Sequence, residues 1–371
     1  MYLIKNGRIH IGDGTILDSC DILTKGKKIE KIGREISCPE AQVIDASGCE
    51  VFPGFIDPHS SIGAMGIPSR HLDNQESTGL FTPEMNVKYA MDPDEVNAQE
   101  FYKSGITAVG LAPGNGNIMG GQIAVVKTAP QKMSERLVKE KAALKCSVTS
   151  AVKNTYGSKN QMPKTRMGVF WSLQEMLRKA RASKMEDLDE RQEIVREVFD
   201  KKAMPVFCAA ETPAEIQGLL HMMKEEKVQA SIVDGFGFGD ALEEMKRQKT
   251  GLILGNVNSC SQIAKYGIDL GKINELVKNG NRIAFTNTCG GFSEGREVFL
   301  WSAIEVYRAG VEAEEVVRMM TQHPAEMLGL GDRIGTLKEG KDADISIFTG
   351  HPVTTYAAKV KHSIINGEVL Y

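Results

Sequence analysis

The chain has 371 residues and seven cysteines, but no CxxC pair. An odd, scattered set of thiols does not make a disulfide framework, so reduced cysteines and a cytoplasmic location are expected. No apolar run approaches the ~18 residues of a membrane span. The first residues, Met1-Tyr2-Leu3-Ile4-Lys5-Asn6-Gly7-Arg8, read as a strand and a turn instead of a secretory leader. Basic excess is missing too: 45 Lys+Arg against 48 Asp+Glu leave a net charge of −3. With no Lys/Arg run either, a nucleic-acid surface is not expected. Low-complexity stretches and long linkers are also absent. What remains is the balance of a globular chain with ample core, 42% hydrophobic and 25% charged. Its length suits one large domain with an appendage.

Both ends carry short strand-like runs between turns. At the start these are Tyr2-Leu3-Ile4, Gly12-Asp13-Gly14, and Asp21-Ile22-Leu23 before Lys25-Gly26-Lys27-Lys28. At the end they are Ala343-Asp344-Ile345-Ser346-Ile347-Phe348 and Ile364-Ile365-Asn366-Gly367-Glu368-Val369-Leu370-Tyr371. Neither end can bury a sheet alone, so both are expected to pair into one composite β-sandwich domain. The middle alternates apolar runs with helical patterns, as βα units do. Its runs include Ile106–Leu111, Met204–Ala209, Ala230–Val233, Gly251–Leu254 and Arg282–Thr286. Thr212-Pro213-Ala214-Glu215 predicts a helix start with an N-cap, Pro at the first position and a capping box. The expected fold is α/β: a (β/α)8 TIM-like barrel over 53–332, with the composite β-sandwich domain built from 1–52 and 333–371. The third and fourth barrel strands fall between about 120 and 190, where the pattern is loose.

Pro53-Gly54-Phe55-Ile56-Asp57-Pro58-His59-Ser60-Ser61 resembles the first-strand signature of the amidohydrolase superfamily. The tail from Ile334 to Ile347 and the segment His323–Leu330 are similar to that family's return into its β-domain. Pro113–Gln122, with its glycines, resembles a loop of an imidazolonepropionase-related bacterial branch. The resemblance implies a divalent metal held by a His-x-His pair, further His residues after strands five and six, and an Asp after strand eight. A metal-bound hydroxide would attack an amide carbon. In this chain those positions read His59-x-Ser61, Ala209, Asp234 and Asn287, so most of the implied ligands are missing. Zinc lowers the pKa of water from about 15.7 to about 7. Losing that activation forfeits up to roughly 12 kcal/mol of drive toward hydroxide. No metal ligand set is therefore assigned, no tightly bound cofactor is expected, and a weak divalent cation is the exception allowed.

The candidate catalytic residues are Glu211, Asp234 and His59. His59 is open to three roles: strand-end hydrogen bonding, ligation, or neutral acid–base work. Glu211 and Asp234 end adjacent strands and are expected to share the mouth, with at least one carboxyl pKa raised. Candidate substrate-binding residues are Arg166, a carboxylate fork, with Asn287, Ser61 and Gln122. The Gly-rich loop offers backbone N–H groups to an anion. His71, Asn74 and Glu76 lie in a polar loop that is expected to cover the mouth, while Glu84 and Glu95 read as surface residues. Cys208 reads as core; Cys289 shares the parity of Asn287 toward the mouth, but the run Cys289-Gly290-Gly291 reads as the start of a loop. His10, His221, His351 and His362 are given no chemistry.

The expected partner is a small molecule, with no nucleic acid and no membrane, and a homo-oligomer is possible. Three activities fit. One is hydrolysis of an amide or cyclic amide C–N bond. The second is small-molecule binding by a catalytically inactive pseudoenzyme. The third is a metal-independent isomerase or lyase using Glu211 and Asp234.

Overall fold

The computed structural model describes residues 1–64, 73–92, 100–129, 133–184, 187–199, 204–258, 267–289, 292–293 and 297–371. The first strands are β1 (Tyr2–His10), β2 (Ile16–Lys25), β3 (Lys28–Gly33), β4 (Gln42–Asp45) and β5 (Glu50–Pro53). β1 pairs antiparallel with β2 and parallel with β4 and β5. Ile4, Ile9, Ile22 and Val51 are buried on one apolar cluster with Ile345, Ile347 and Ile364 from the far end of the chain. Each such side chain contributes roughly 1.5–3 kcal/mol by leaving water.

The barrel sheet follows. Its strands are β6 (Phe55–Ser60), β7 (Ile106–Leu111), β8 (Met119–Lys127), β9 (Leu137–Ser147), β10 (Val206–Ala210), β11 (Ala230–Asp234), β12 (Leu252–Leu254) and β13 (Ile283–Phe285). They neighbour one another in chain order, and the sheet is nearly closed. Ile123, Val125, Ala143, Phe207, Ala209, Val233 and Ile253 fill its inside, while Leu144, Cys146, Cys208, Ile232 and Leu254 pack outward on the helices. Alternate residues thus serve opposite faces, as strand geometry requires.

One strand departs from the expected all-parallel barrel: β8 runs antiparallel to both β7 and β9. The reason is chain length. Residues 112–118 connect β7 to β8 directly, and a parallel return needs a crossover of about a dozen residues or more. The Gly-rich loop therefore stays at the barrel end where the other strands finish.

Between β13 and β6 the closure is made by side chains. The Asn287 N–H donates to Asp57 Oδ2 at 3.0 Å, and Ser60 Oγ donates to Asn287 Oδ1 at 3.1 Å. A short hairpin of β14 (Thr288–Cys289) and β15 (Phe292–Ser293) comes next. The tail returns as β16 (Ile345–Phe348), β17 (Val360–Ile365) and β18 (Glu368–Val369). β16 lies antiparallel on β5, with Ile345 opposite Pro53, so both chain ends share one eight-stranded sheet. Asn366 and Gly367 both take positive φ, as a two-residue hairpin loop between β17 and β18 demands. Among the described residues no helix is long and apolar enough to cross a membrane.

Candidate active site at the barrel mouth

β6 carries a register shift: Asp57 stands opposite Val109 and Ser60 opposite Leu111, three steps against two. Such a bulge re-aims the side chains it contains. Asp57 is fully buried, and its carboxylate accepts the backbone N–H groups of His59 and Asn287, each at 3.0 Å. Burial outweighs those bonds and pushes its carboxyl up to about 6.

His59 is 2% exposed, and neither ring nitrogen has a hydrogen-bond partner among the described residues. Burial, and then the positive charge of Lys145, hold its pKa well below the usual value. The ring is therefore neutral at pH 7, with one donor and one acceptor to offer.

Lys145 sits on β9, fully buried. Its ammonium donates to Asn115 Oδ1 at 2.5 Å and to the Cys146 carbonyl at 3.0 Å. Burial lowers its pKa, against the opposing charges of Asp234 and Glu211. Asn115 passes the contact on, donating Nδ2–H to Asp234 Oδ2 at 3.3 Å. Asp234 closes β11 with φ +68, so it leaves strand alternation and turns toward the Gly-rich loop. Gly255 must be glycine beside it, since an added Cβ would stand 3.0 Å from Asp234 Oδ1 and 2.8 Å from the Phe236 ring.

Glu211 follows β10, is half-buried, and contributes its charge at Lys145. The helix after it begins as expected. Thr212 Oγ1 accepts the Glu215 N–H at 3.2 Å, and Glu215 Oε2 accepts the N–H groups of Glu211 and Thr212 at 3.0 Å each.

The mouth thus gathers His59, Asp234 and Asn287, and brings Glu211 within electrostatic reach of the same ammonium. Ser61, two residues after His59, is buried, and Ala209 is an apolar part of the barrel interior. Two residues sit differently from expectation. Arg166 stands exposed at the start of the helix Arg166–Ala182. Gln122 is buried, but its amide donates to the Pro83 carbonyl at 3.0 Å and accepts from Asn86 at 3.3 Å. It holds the 81–86 segment against β8.

The Gly-rich loop is also partly committed. Its Gly114 N–H goes to the Asn74 carbonyl and its Gly116 N–H to Gln75 Oε1, at 3.0 and 3.2 Å. Asn74 and Glu76 belong to a segment lying on that loop, while His71 and Glu95 fall outside the described residues. Glu84 accepts from Arg191 at 2.8 Å. Cys208 is buried in the barrel–helix layer, and the side chain of Cys289 lies outside the described residues.

Lys145 and Asn115 went unrecognised in the sequence. The signal for Lys145 was a lone charge in the apolar run Ala142-Ala143-Leu144-Lys145-Cys146, at the parity of inward-facing Ala143.

Residues 51–370 match the family model described as the amidohydrolase family. The crystal structure of an amidohydrolase from Thermotoga maritima MSB8 is 27% identical and covers 100% of both chains, with a TM-score of 0.89. A dihydroorotase of Streptococcus pyogenes is 51% identical over 59 residues, 16% of this chain and 14% of that protein. A D-hydantoinase of Geobacillus stearothermophilus is 48% identical over 60 residues, 16% of this chain and 12% of that protein. The matches thus span only a small part of these curated relatives.

Proposed function

Since the chain belongs to the amidohydrolase family, we propose that it hydrolyses a C–N bond of a small amide, most simply a cyclic one, using side chains of the mouth. The observation that carries this is His59: a buried neutral imidazole with both nitrogens unpartnered among the described residues, within the field of a buried ammonium. Leaving such a group unsatisfied costs roughly 1–3 kcal/mol. A ligand that supplies a donor and an acceptor recovers that cost. In this scheme His59 takes a proton from water as it adds to the carbonyl carbon. Lys145 stabilises the oxyanion that forms, and the imidazolium returns the proton to the departing nitrogen. Asn115 and Asp234 hold the ammonium in place. The short dihydroorotase and D-hydantoinase matches favour a cyclic ureide or imide as substrate.

The residues present do not suit the metal that the family implies. Ser61, Ala209 and Asn287 offer no imidazole or carboxylate at three of its positions, and the Lys145 ammonium places a positive charge beside His59. No step is therefore routed through a metal here. General acid–base catalysis supplies about 10²–10⁴-fold, so turnover is expected to be slow.

A second reading has an observation of its own. Asn287, fully buried, already spends its Oδ1 on Ser60, and an amide cannot shuttle a proton. That favours a binding protein without turnover.

The test is ring opening of dihydroorotate, hydantoin and dihydropyrimidine substrates, followed with and without chelator. Hydrolysis that survives chelation and falls at least about 100-fold in His59→Gln and Lys145→Met supports the hydrolase. Saturable binding without turnover supports the second reading, and chelator-sensitive turnover would refute the metal-free scheme.

A further inference from the structure

Away from the mouth, His10, Glu314 and His351 bring three ligand atoms within 4.8 Å of one another, the one such group among the described residues. They come from β1, from the helix Ala313–Met320 and from the segment after β16. His10 is 1% exposed and stacks on Phe52 with ring centroids 4.2 Å apart. Phe52 precedes β6 by three residues, and His59 is at the far end of that strand, so this cluster is separate from the mouth.

The contacts around His10 have a direction. Its Nε2 lies 2.6 Å from Glu50 Oε2 and its Nδ1 2.7 Å from Glu314 Oε1. A carboxylate on the outer nitrogen is how metal-ligating histidines are oriented. With the Nε2 proton given to Glu50, the Nδ1 lone pair faces a carboxylate oxygen, and only a positive centre stabilises that approach. A proton can serve, and so can a cation. Two further atoms are buried without a hydrogen-bond partner among the described residues, Glu314 Oε2 and His351 Nε2. His351 Nε2 stands 3.6 Å from Glu314 Oε1, too far for a hydrogen bond and close enough to share an ion.

The geometry points to a binding site for one divalent transition-metal ion of the zinc type, ligated by His10 Nδ1, a Glu314 carboxylate oxygen and His351 Nε2. Glu50 orients His10, and water completes the set. Imidazole with carboxylate suits a borderline cation of this kind, and three protein ligands plus water is a common zinc arrangement. The charges balance: two positive on the ion, one negative each on Glu50 and Glu314. Bonds of about 2.0–2.2 Å require the ligand atoms to draw in to separations of roughly 3.3 Å. One proton is displaced from His10 Nδ1. His351 Nδ1 accepts the Val353 N–H at 3.2 Å, so its own proton sits on Nε2 in the metal-free chain. Binding moves that proton to Nδ1 and gives up this single contact. The ion would pin the first strand and the tail to an outer barrel helix.

The experiment is zinc titration by calorimetry of the full chain after dialysis against a chelator. One saturable equivalent is expected, weakened at least about tenfold in His351→Gln and in Glu314→Gln and unchanged in His59→Ala. Cobalt added to the unaltered chain should give the visible absorption of a tetrahedral nitrogen–oxygen site, bleached by zinc. That measurement does not depend on any variant folding. No saturable equivalent, binding indifferent to both Gln substitutions, or binding abolished by His59→Ala would each overturn the site. The last of these would place the ion at the mouth and count against the metal-free scheme as well.

Discussion

Asp57 shows how one side chain at the mouth sets a pH response. Its carboxyl is pushed up to about 6 from an ordinary 3.8, burial being the largest cause. Between those values it is protonated in the folded chain and ionised in the unfolded one. The folded state therefore loses stability as pH rises from 3.8 through 6, and the penalty is full above 6. His59 acts in the opposite direction. Its pKa is lowered, so protonating it in the unfolded chain costs stability as pH falls below 6.5. The two are separated by comparing Asp57→Asn with the unaltered chain. The variant keeps one acceptor for the N–H groups of His59 and Asn287, and should gain relative stability as pH rises from about 3.8 to about 6, with no further gain above that. Parallel urea midpoints in the two proteins across that window would contradict the raised pKa. The family resemblance pointed to His59 and Asp234 at the mouth and strand parity to Glu211; neither pointed to Lys145, whose role depends on Asn115 from a loop 30 residues earlier.

At the scale of elements, the joint between β8 and the tail rests on a buried ionic cluster. Lys127 donates to Asp342 Oδ2 at 3.1 Å and also to Asp344, with the three side chains 1%, 3% and 6% exposed. Arg333 reaches the same Asp342 Oδ2 and Lys28 reaches Oδ1, at 2.9 Å each. Burial alone would raise the Asp342 pKa, yet these cations, Lys127 first, hold it below the ordinary value. Removing Lys127 leaves Asp342 with two cations and strips Asp344 of the charge that compensates it. Lys127→Met should therefore cost about 3–5 kcal/mol. Lys127→Met with Asp344→Asn should recover part of that loss in a double-mutant comparison of denaturant midpoints. Additive losses would show that the two residues do not share the interaction. The sequence placed the third and fourth barrel strands only loosely between about 120 and 190, and a run such as Ile123–Lys127 carries no sign of the direction in which β8 travels. What reverses it is a seven-residue connection too short for a crossover helix.

For the molecule as a whole, β16 on β5 makes the first strands depend on the last. Deleting Gly340–Tyr371 should raise hydrogen exchange across residues 1–50, because Ile4, Ile22 and Val51 lose Ile345, Ile347 and Ile364 from their shared core. Unchanged protection there would mean the N-terminal strands stand alone. The sequence was sufficient for the alternation of strands and helices, the capping box at Thr212 and the apolar texture of both ends. These are local matters of period, cap and turn, decided within about ten residues. Only the tertiary structure decided the reversed β8, the bulge that re-aims His59, the positive φ of Asp234, and the meeting of His10 with Glu314 and His351. Each of those depends on which distant segments share a buried volume. There, desolvation and charge pairing outweigh any preference that a neighbouring residue imposes.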